Sequence, residues 1–424
     1  MTALIASLSS LLGGTAFLLL GNGLLGTLLG VGLADMGQGP AVSSLVMGAY
    51  FSGLILGSLR LPALIGRVGH IRAFALLACV FSTAVLAHAL MVNAWAWAAL
   101  RFVEGVAMAG LFMCLESWLN ERATRETRGT VLSIYMITLY LAQGLGPLLL
   151  MAGDPKSTAP FAVAAMLLSL AVVPITLTRL PSPSLPATKS FGARRLIEVS
   201  PSGFLGSFGS GLGLGAFYAL GPLFARMAGF TIDQVALFMS SIIIGGLVLQ
   251  WPLGRLSDRT DRRRILLLAT TGVAVCCAVL ALLTLAGGAA LAGGLTFALF
   301  LLVSALFGSL LTLIYPISVA LANDRVTSSD MVGVSGGLLF VNSVGSAIGP
   351  LIAAGLMEGM GPAGLFVFLS LVGGGLGLAT LWRMMAREPA LGPDRQPFRV
   401  TPSTSPVVGE LDPRQDPARE EPRP

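Results

Sequence analysis

The feature that most constrains this chain is a series of apolar runs, each about twenty residues long and separated by short polar or charged turns. Twelve can be read, over roughly 9–33, 41–61, 73–92, 95–118, 129–152, 160–180, 202–225, 234–253, 265–286, 293–321, 333–356 and 363–384. About twenty apolar residues suffice for a helix to cross a hydrocarbon layer ~30 Å thick. Inside that layer the backbone must satisfy its own polar groups, which leaves helices or closed barrels. Ile265–Leu285 and Leu295–Leu313 are apolar on every side, whereas barrel strands alternate over short segments. With 55% hydrophobic and only 11% charged residues, the chain has too little polar surface for a soluble globule. The sequence therefore predicts an all-α membrane protein with 12 transmembrane helices.

Charge placement predicts how the helices are threaded. Short connections make consecutive spans alternate in direction. If the N-terminus is cytoplasmic, the inward segments hold 23 of the 26 Lys and Arg. They fall at Arg60, Arg67 and Arg72, at Arg122, Arg125 and Arg128, between Arg179 and Arg195, between Arg255 and Arg264, at Arg325, and from Arg383 onward. Lys156 and Arg226 fall outside and Arg101 within the membrane. Cytoplasmic loops carry the basic excess in such proteins, so both termini are predicted inside a bacterial inner membrane. The +6 net charge is thereby accounted for without a nucleic-acid partner. Met1 to Leu12 has no basic residue ahead of its apolar stretch, so it predicts a first span rather than a cleaved signal.

Two segments interrupt the pattern. Residues 181–201, rich in Pro, Ser and basic side chains, read as a cytoplasmic linker between an N-terminal six-helix bundle (1–180) and a C-terminal one (202–386). Residues 387–424, with many Pro and alternating charges, cannot bury a core of their own and read as a disordered cytoplasmic tail. The halves repeat each other. Asn120-Glu121-Arg122 after the fourth run matches Asn323-Asp324-Arg325 after the tenth, an offset of 203, and the same offset carries Gly146-Pro147 onto Gly349-Pro350. Two features sharing one offset, each displaced by six helices, indicate a parallel duplication able to rock about a site between the bundles.

Enzymatic chemistry has little footing. His70 and His88 form no H-E-x-x-H pair. Cys79, Cys114, Cys276 and Cys277 lie in apolar runs without C-x-x-C spacing, where a thiol acts as a small hydrophobe. Neither Lys156 nor Lys189 follows Gly as a phosphate-binding loop requires. No cofactor, metal site or ATP-driven step is expected.

The turn Gly254-Arg255-Leu256-Ser257-Asp258-Arg259-Thr260-Asp261-Arg262-Arg263 resembles the loop signature of the major facilitator superfamily, with Asp261 where Gly is usual. The matching turn keeps Arg67 and Gly69, but Gly66 stands in place of the Asp. Arg101-Phe102-Val103-Glu104-Gly105 is similar to that family's intramembrane Arg followed by Gly four residues later. Together with Glu116-Ser117, Arg128-Gly129, Gln250-Trp251-Pro252 and Tyr315-Pro316, these residues look like the YcaD-like branch, the resemblance running from Leu11 to about Arg383. It implies two pseudo-symmetric six-helix bundles that alternate in access. It also implies a latch at Gly254, Asp258, Arg259 and Arg262, with Arg67 and Gly69 as its weaker counterpart, in which Asp258 faces the positive N-terminal end of helix eleven. A solvated basic turn that only sets topology is the alternative.

Ionised side chains near the bilayer centre cost at least ~2.5–3.5 kcal/mol, so Arg101, Glu104 and Glu116 must face protein or water. Arg101 and Glu104, three apart, are helix neighbours, and Glu116 lies about 60° round the same face. One reading makes Glu104 or Glu116 a proton-titrating carboxylate; the other makes Arg101–Glu104 a structural pair, with Glu116 structural near the cytoplasmic end. Asn22, Tyr218, Thr312, Tyr315, Tyr135, Tyr140, Gln143 and Asn342 complete a set of sparse polar groups on helices that line the cavity in this fold. A mostly apolar cavity with few polar anchors leans toward an amphipathic or hydrophobic small molecule. Gly144-Leu145-Gly146-Pro147 and Gly345-x-x-x-Gly349-Pro350 partly resemble the helix-five signature of drug exporters, with helix packing as the alternative. The expected function is secondary active transport of a small organic solute by a monomer in the lipid bilayer, in the form of proton-coupled export; proton-coupled uptake or a non-transporting receptor remain open.

Overall fold

The computed structural model describes residues 2–124, 126–177, 183, 191–287, 293–386, 398 and 401–407. Among these there is no strand. The spans are helix 1 (Thr2–Asp35), helix 2 (Pro40–Val68), helix 3 (His70–Leu90), helix 4 (Ala94–Arg122), helix 5 (Arg128–Ala152), helix 6 (Ala159–Thr176), helix 7 (Pro201–Met227), helix 8 (Ile232–Arg259), helix 9 (Arg262–Gly287), helix 10 (Gly294–Asn323), helix 11 (Ser328–Met360) and helix 12 (Gly364–Ala386). Helices 11 and 12 form one continuous apolar stretch, Asp330–Ala386, folded back at Gly361. The φ of +68° at Gly361 is a left-handed conformation that glycine adopts without a Cβ clash.

Local chemistry sets several ends. The Asn93 side chain accepts from the N–H groups of Trp95 and Ala96 and starts helix 4. Thr231 and Gln234 form a reciprocal capping box at the start of helix 8. Helix 5 tightens into a 3₁₀ turn over Gly146–Ala152, where Pro147 removes a donor.

Packing repeats under a shift of six helices. Helix 2 packs on 4 as 8 on 10, helix 3 on 6 as 9 on 12, and helix 1 on 5 as 7 on 11. The repeated Gly-Pro pairs occupy equivalent places. A Cβ on Gly146 would meet the helix 1 backbone at Leu20 and Leu24, and one on Gly349 would meet the helix 7 backbone at Leu212. These glycines therefore permit close helix approach, the packing role. The bundles meet where helix 1 crosses 7, helix 2 crosses 7 and 11, and helix 5 crosses 8.

The outer surface carries large apolar side chains open to surroundings, among them Leu90 (83% exposed), Leu295 (87%) and Met385 (73%). In water such a surface would associate; against lipid it is solvated. Exposed Trp95 and Trp382 sit near opposite ends of their bundles, the depth at which indoles prefer the membrane boundary.

Of the linker predicted over 181–201, residues 183 and 191–201 are described. Ala193–Val199 forms a short helix that buries Leu196 against Tyr315, Val319 and Leu338, and Arg195 pairs with Asp330 at 3.4 Å. Of the predicted tail, residues 387–397, 399, 400 and 408–424 lie outside the described residues. Phe398 and Thr401–Val407 differ from the composition-based expectation: Thr401, Ser405 and Val407 are each 5% exposed or less, packed between the bundles.

Candidate functional site

Between the bundles lies a cavity of about 180 Å³ that brings together Asn22, Arg101, Gln143, Tyr218 and Asn342 from helices 1, 4, 5, 7 and 11. Five of the residues singled out by sequence thus share one space. Asn22 donates to Gln143 at 3.2 Å, tying helix 1 to helix 5. Asn342 donates to the Ser207 carbonyl at 2.9 Å, so its amide is committed to packing helix 11 on helix 7. Tyr140 stands at the seam of the two halves, where Gln250 of helix 8 donates to its hydroxyl at 3.0 Å. Tyr315 is buried instead under the linker helix, and Thr312 bonds the Gly246 and Gly308 carbonyls.

Arg101 and Glu104 pair as their spacing predicts, Nη1 to Oε2 at 2.8 Å. The guanidinium edges the cavity and lies over the Tyr50 ring, 4.2 Å from its centroid. Such stacking offsets part of the desolvation cost of a buried cation. Glu104 points away from the cavity, wholly buried. Its Oε1 has no hydrogen-bond partner and sits 3.8 Å from His88 Nδ1 on helix 3. That nitrogen lies 3.1 Å from the Ala84 carbonyl, and the ring stacks on Trp97. His88 and Trp97 also edge a second cavity of about 320 Å³, within the N-terminal bundle at the face opposite the basic turns. Tyr50 and His88 were not among the sequence candidates. Tyr50 carried a usable signal as one of only five tyrosines in the chain, lying within a span. His88 carried none, because the register of helix 3 on helix 4 is not written in either helix alone.

Glu116 faces helix 5 and the tail. It accepts from the Tyr135 hydroxyl at 2.9 Å and from the hydroxyls of Thr404 and Ser405. Above it, the Phe398 N–H donates to Asp258 Oδ1, and the Phe398 ring covers Gly254 so closely that a Cβ there would collide with it. Asp258 thus engages the tail and Arg262 (3.5 Å), where the resemblance implies the N-terminal end of helix 11. Arg262 is 1% exposed and pairs at 2.8 Å with Asp324, which caps the end of helix 10, a bond inside the C-terminal bundle. Arg259 and Arg67 are exposed. Gly69 has φ +84° and makes the sharp turn from helix 2 to helix 3, a backbone role sufficient to require glycine there.

On the face opposite the basic turns the bundles touch. Asp35 at the end of helix 1 pairs with Arg226 at the end of helix 7 at 2.9 Å. Gly30 abuts Pro222, where a Cβ would come within 2.7 Å. The cavity is therefore closed at that face and reached from the basic face, where the tail fills the approach.

The profile of the Major Facilitator Superfamily matches residues 11–300. The chain is 30% identical over 313 residues to the uncharacterized MFS-type transporter YcaD of Salmonella newport (strain SL254), covering 73% of this chain and 78% of that protein. In fold it is similar to the nucleoside transporter NupG, with a TM-score of 0.70, 15% identity, and coverage of 88% of this chain and 97% of that one. It is also similar to the E. coli fucose:proton symporter FucP, with a TM-score of 0.56, 13% identity, and coverage of 90% and 99%. Twelve helices in two repeated bundles, a cavity between them and this match over most of the chain agree: the protein belongs to the major facilitator superfamily and is a multi-pass membrane transporter of that family.

Proposed function

We propose that this chain moves a small, largely apolar organic solute by alternating access, exporting it across the bacterial inner membrane in exchange for protons. The observation that carries the reading is the Arg101–Glu104 pair. A cation that lines the solute cavity is bonded to a fully buried carboxylate with one oxygen unpartnered. A carboxylate in that position can exchange a proton when the solute displaces or reorients Arg101. The charge of the pair then differs between the two access states, and a group whose energy differs between states biases their populations. The apolar wall formed by Met47, Phe51 and Phe112 favours a solute with a hydrophobic body. Both termini, on this reading, face the cytoplasm, as the basic turns do.

The test starts from a thermal-shift screen of purified protein against lipophilic cations, nucleosides and sugars. A ligand at a hundred times its Kd adds about 2.7 kcal/mol to stability. The compound with the largest shift is then followed in proteoliposomes under an imposed pH gradient. Wild-type flux should follow the gradient with the sign of exchange, and Glu104→Gln should abolish the gradient dependence while the protein still inserts. Gradient-driven flux that persists in Glu104→Gln rejects the coupling role. Flux of the symport sign rejects export, and binding without flux rejects transport.

A further inference from the structure

We propose that Phe398 and Thr401–Val407 are an intramolecular ligand of the central cleft, which holds the protein open toward its basic face and occupies the space a solute would use. That this space is the solute's rests on the transport reading above; that the tail fills it does not.

The segment engages both bundles. On the N-terminal side Thr404 and Ser405 donate to the two oxygens of Glu116, which is otherwise bonded only by Tyr135 among the hydrogen bonds described. On the C-terminal side the Phe398 N–H donates to Asp258 and its ring seats on Gly254. Between these anchors Ser403 and Thr404 reach the central cavity beside Asn342 and Ser343. Glu116 is 0% exposed, so each hydroxyl withdrawn leaves part of a buried carboxylate unsatisfied. The preferred occupant is therefore a stretch bearing adjacent hydroxyls, with an apolar ring several residues before them. The chain supplies both from its own end.

Attachment makes the contact strong enough. A ligand joined to the end of helix 12 by a short stretch acts at an effective concentration in the millimolar range, so modest contacts suffice for high occupancy. The contact is also selective for one state. Closure at the basic face would bring the bundles into the volume the segment fills, and Gly254 and Asp258 cannot serve as a latch while Phe398 covers them. The tail thus favours one conformation by binding it and not the other.

The test uses the full-length protein with exposed Cys79 replaced by Ser and a reporter thiol, Ser343→Cys, in the cavity wall. Labelling by a water-soluble maleimide is timed in detergent, with the tail either native or carrying T404V/S405A. Each lost hydrogen bond to a charged acceptor should lower tail occupancy about tenfold or more, and the thiol should label correspondingly faster. A second tail variant, T404D/S405D, sets carboxylates against Glu116 and should label at least as fast; T404S/S405T keeps both hydroxyls and should stay protected. The tail changes all follow the last span, and an unchanged elution profile confirms that the bundles are intact. Equal labelling rates in the native, T404V/S405A and T404D/S405D tails overturn the proposal, as does loss of protection in T404S/S405T. No solute is needed. Unprotected cavities would sink this inference and leave the transport reading standing, whereas a protected cavity in a protein that moves nothing would do the reverse.

Discussion

Removing Arg101 alone should harm this protein more than removing Arg101 and Glu104 together. In the structure Glu104 is 0% exposed, its Oε2 is bonded to Arg101 at 2.8 Å, and the His88 imidazole stands 3.8 Å from Oε1. Arg101→Leu leaves that carboxylate buried without its hydrogen-bond donor, and breaking a buried pair in this way costs about 3–5 kcal/mol. The guanidinium stacked on Tyr50 is lost as well, a further ~0.5–2 kcal/mol. Leucine at both positions removes the charge and fills much of the volume, and such replacements of buried pairs are often neutral or stabilising by about 1–4 kcal/mol. An unfolding entropy of about 2.1 cal/mol/K per residue, applied to 424 residues, gives close to 0.9 kcal/mol/K. The single variant should then melt roughly 4–8 °C below wild type, and the double variant between about 2 °C below and about 4 °C above it. The five tryptophans give the fluorescence signal for the scan, run at one fixed rate because such proteins unfold irreversibly. A double variant no more stable than Arg101→Leu would refute the claim that the uncompensated carboxylate sets the cost.

Gly105→Ala should lower the melting temperature by a few degrees, because its Cβ would collide with the Tyr50 carbonyl and force helices 4 and 2 apart at about 1–3 kcal/mol; an unchanged transition would show that the contact yields easily. Arg262→Ala, which removes a guanidinium 1% exposed and paired with Asp324, should destabilise far more than Arg259→Ala at an exposed site, and equal melting temperatures would contradict the burial argument. Asp35→Asn should loosen closure at the face opposite the basic turns. The Asp35–Arg226 pair is partly exposed and worth at most about 1 kcal/mol, so a thiol replacing Ala219 in the wall of the central cavity should label up to about fivefold faster, with the difference shrinking in high salt. Cysteines replacing Arg122 and Arg255 should be reached by an impermeant reagent from the same side of the membrane; labelling from opposite sides would break the twelve-span threading.

What could be read from sequence divides by how local the cause is. The spans were legible because lipid imposes a length and a composition on each helix separately, and the repeat because one offset is visible in a single string. Arg101–Glu104 was legible for the same reason, two residues three apart on one helix. Their neighbours were not. His88 reaches Glu104 only through the register of helix 3 on helix 4, and Tyr50 reaches Arg101 only because Gly105 and Gly53 let helices 2 and 4 approach backbone to backbone. Asp258 shows the limit of a motif. Its place in the turn follows the family pattern, yet its hydrogen bond goes to Phe398, 140 residues away in a segment that no periodicity marks. The tail carries the sharpest lesson. Its composition argues that it cannot bury a core of its own, but that argument does not bear on burial in a cavity that other segments have already built and left with a carboxylate only partly satisfied, by Tyr135. Glu116, which the sequence leaves between a proton-titrating and a structural role near the cytoplasmic end of helix 4, is the point at which the two meet: the same carboxylate that Tyr135 holds in the bundle is the one that Thr404 and Ser405 complete. Substituting Glu116 with Gln should therefore weaken tail and bundle together, while Tyr135→Phe, which removes only the bundle's hydrogen bond, should lower the melting temperature and leave the Ser343→Cys reporter protected. A reporter exposed by Tyr135→Phe would mean that the tail depends on the bundle's bond rather than adding to it.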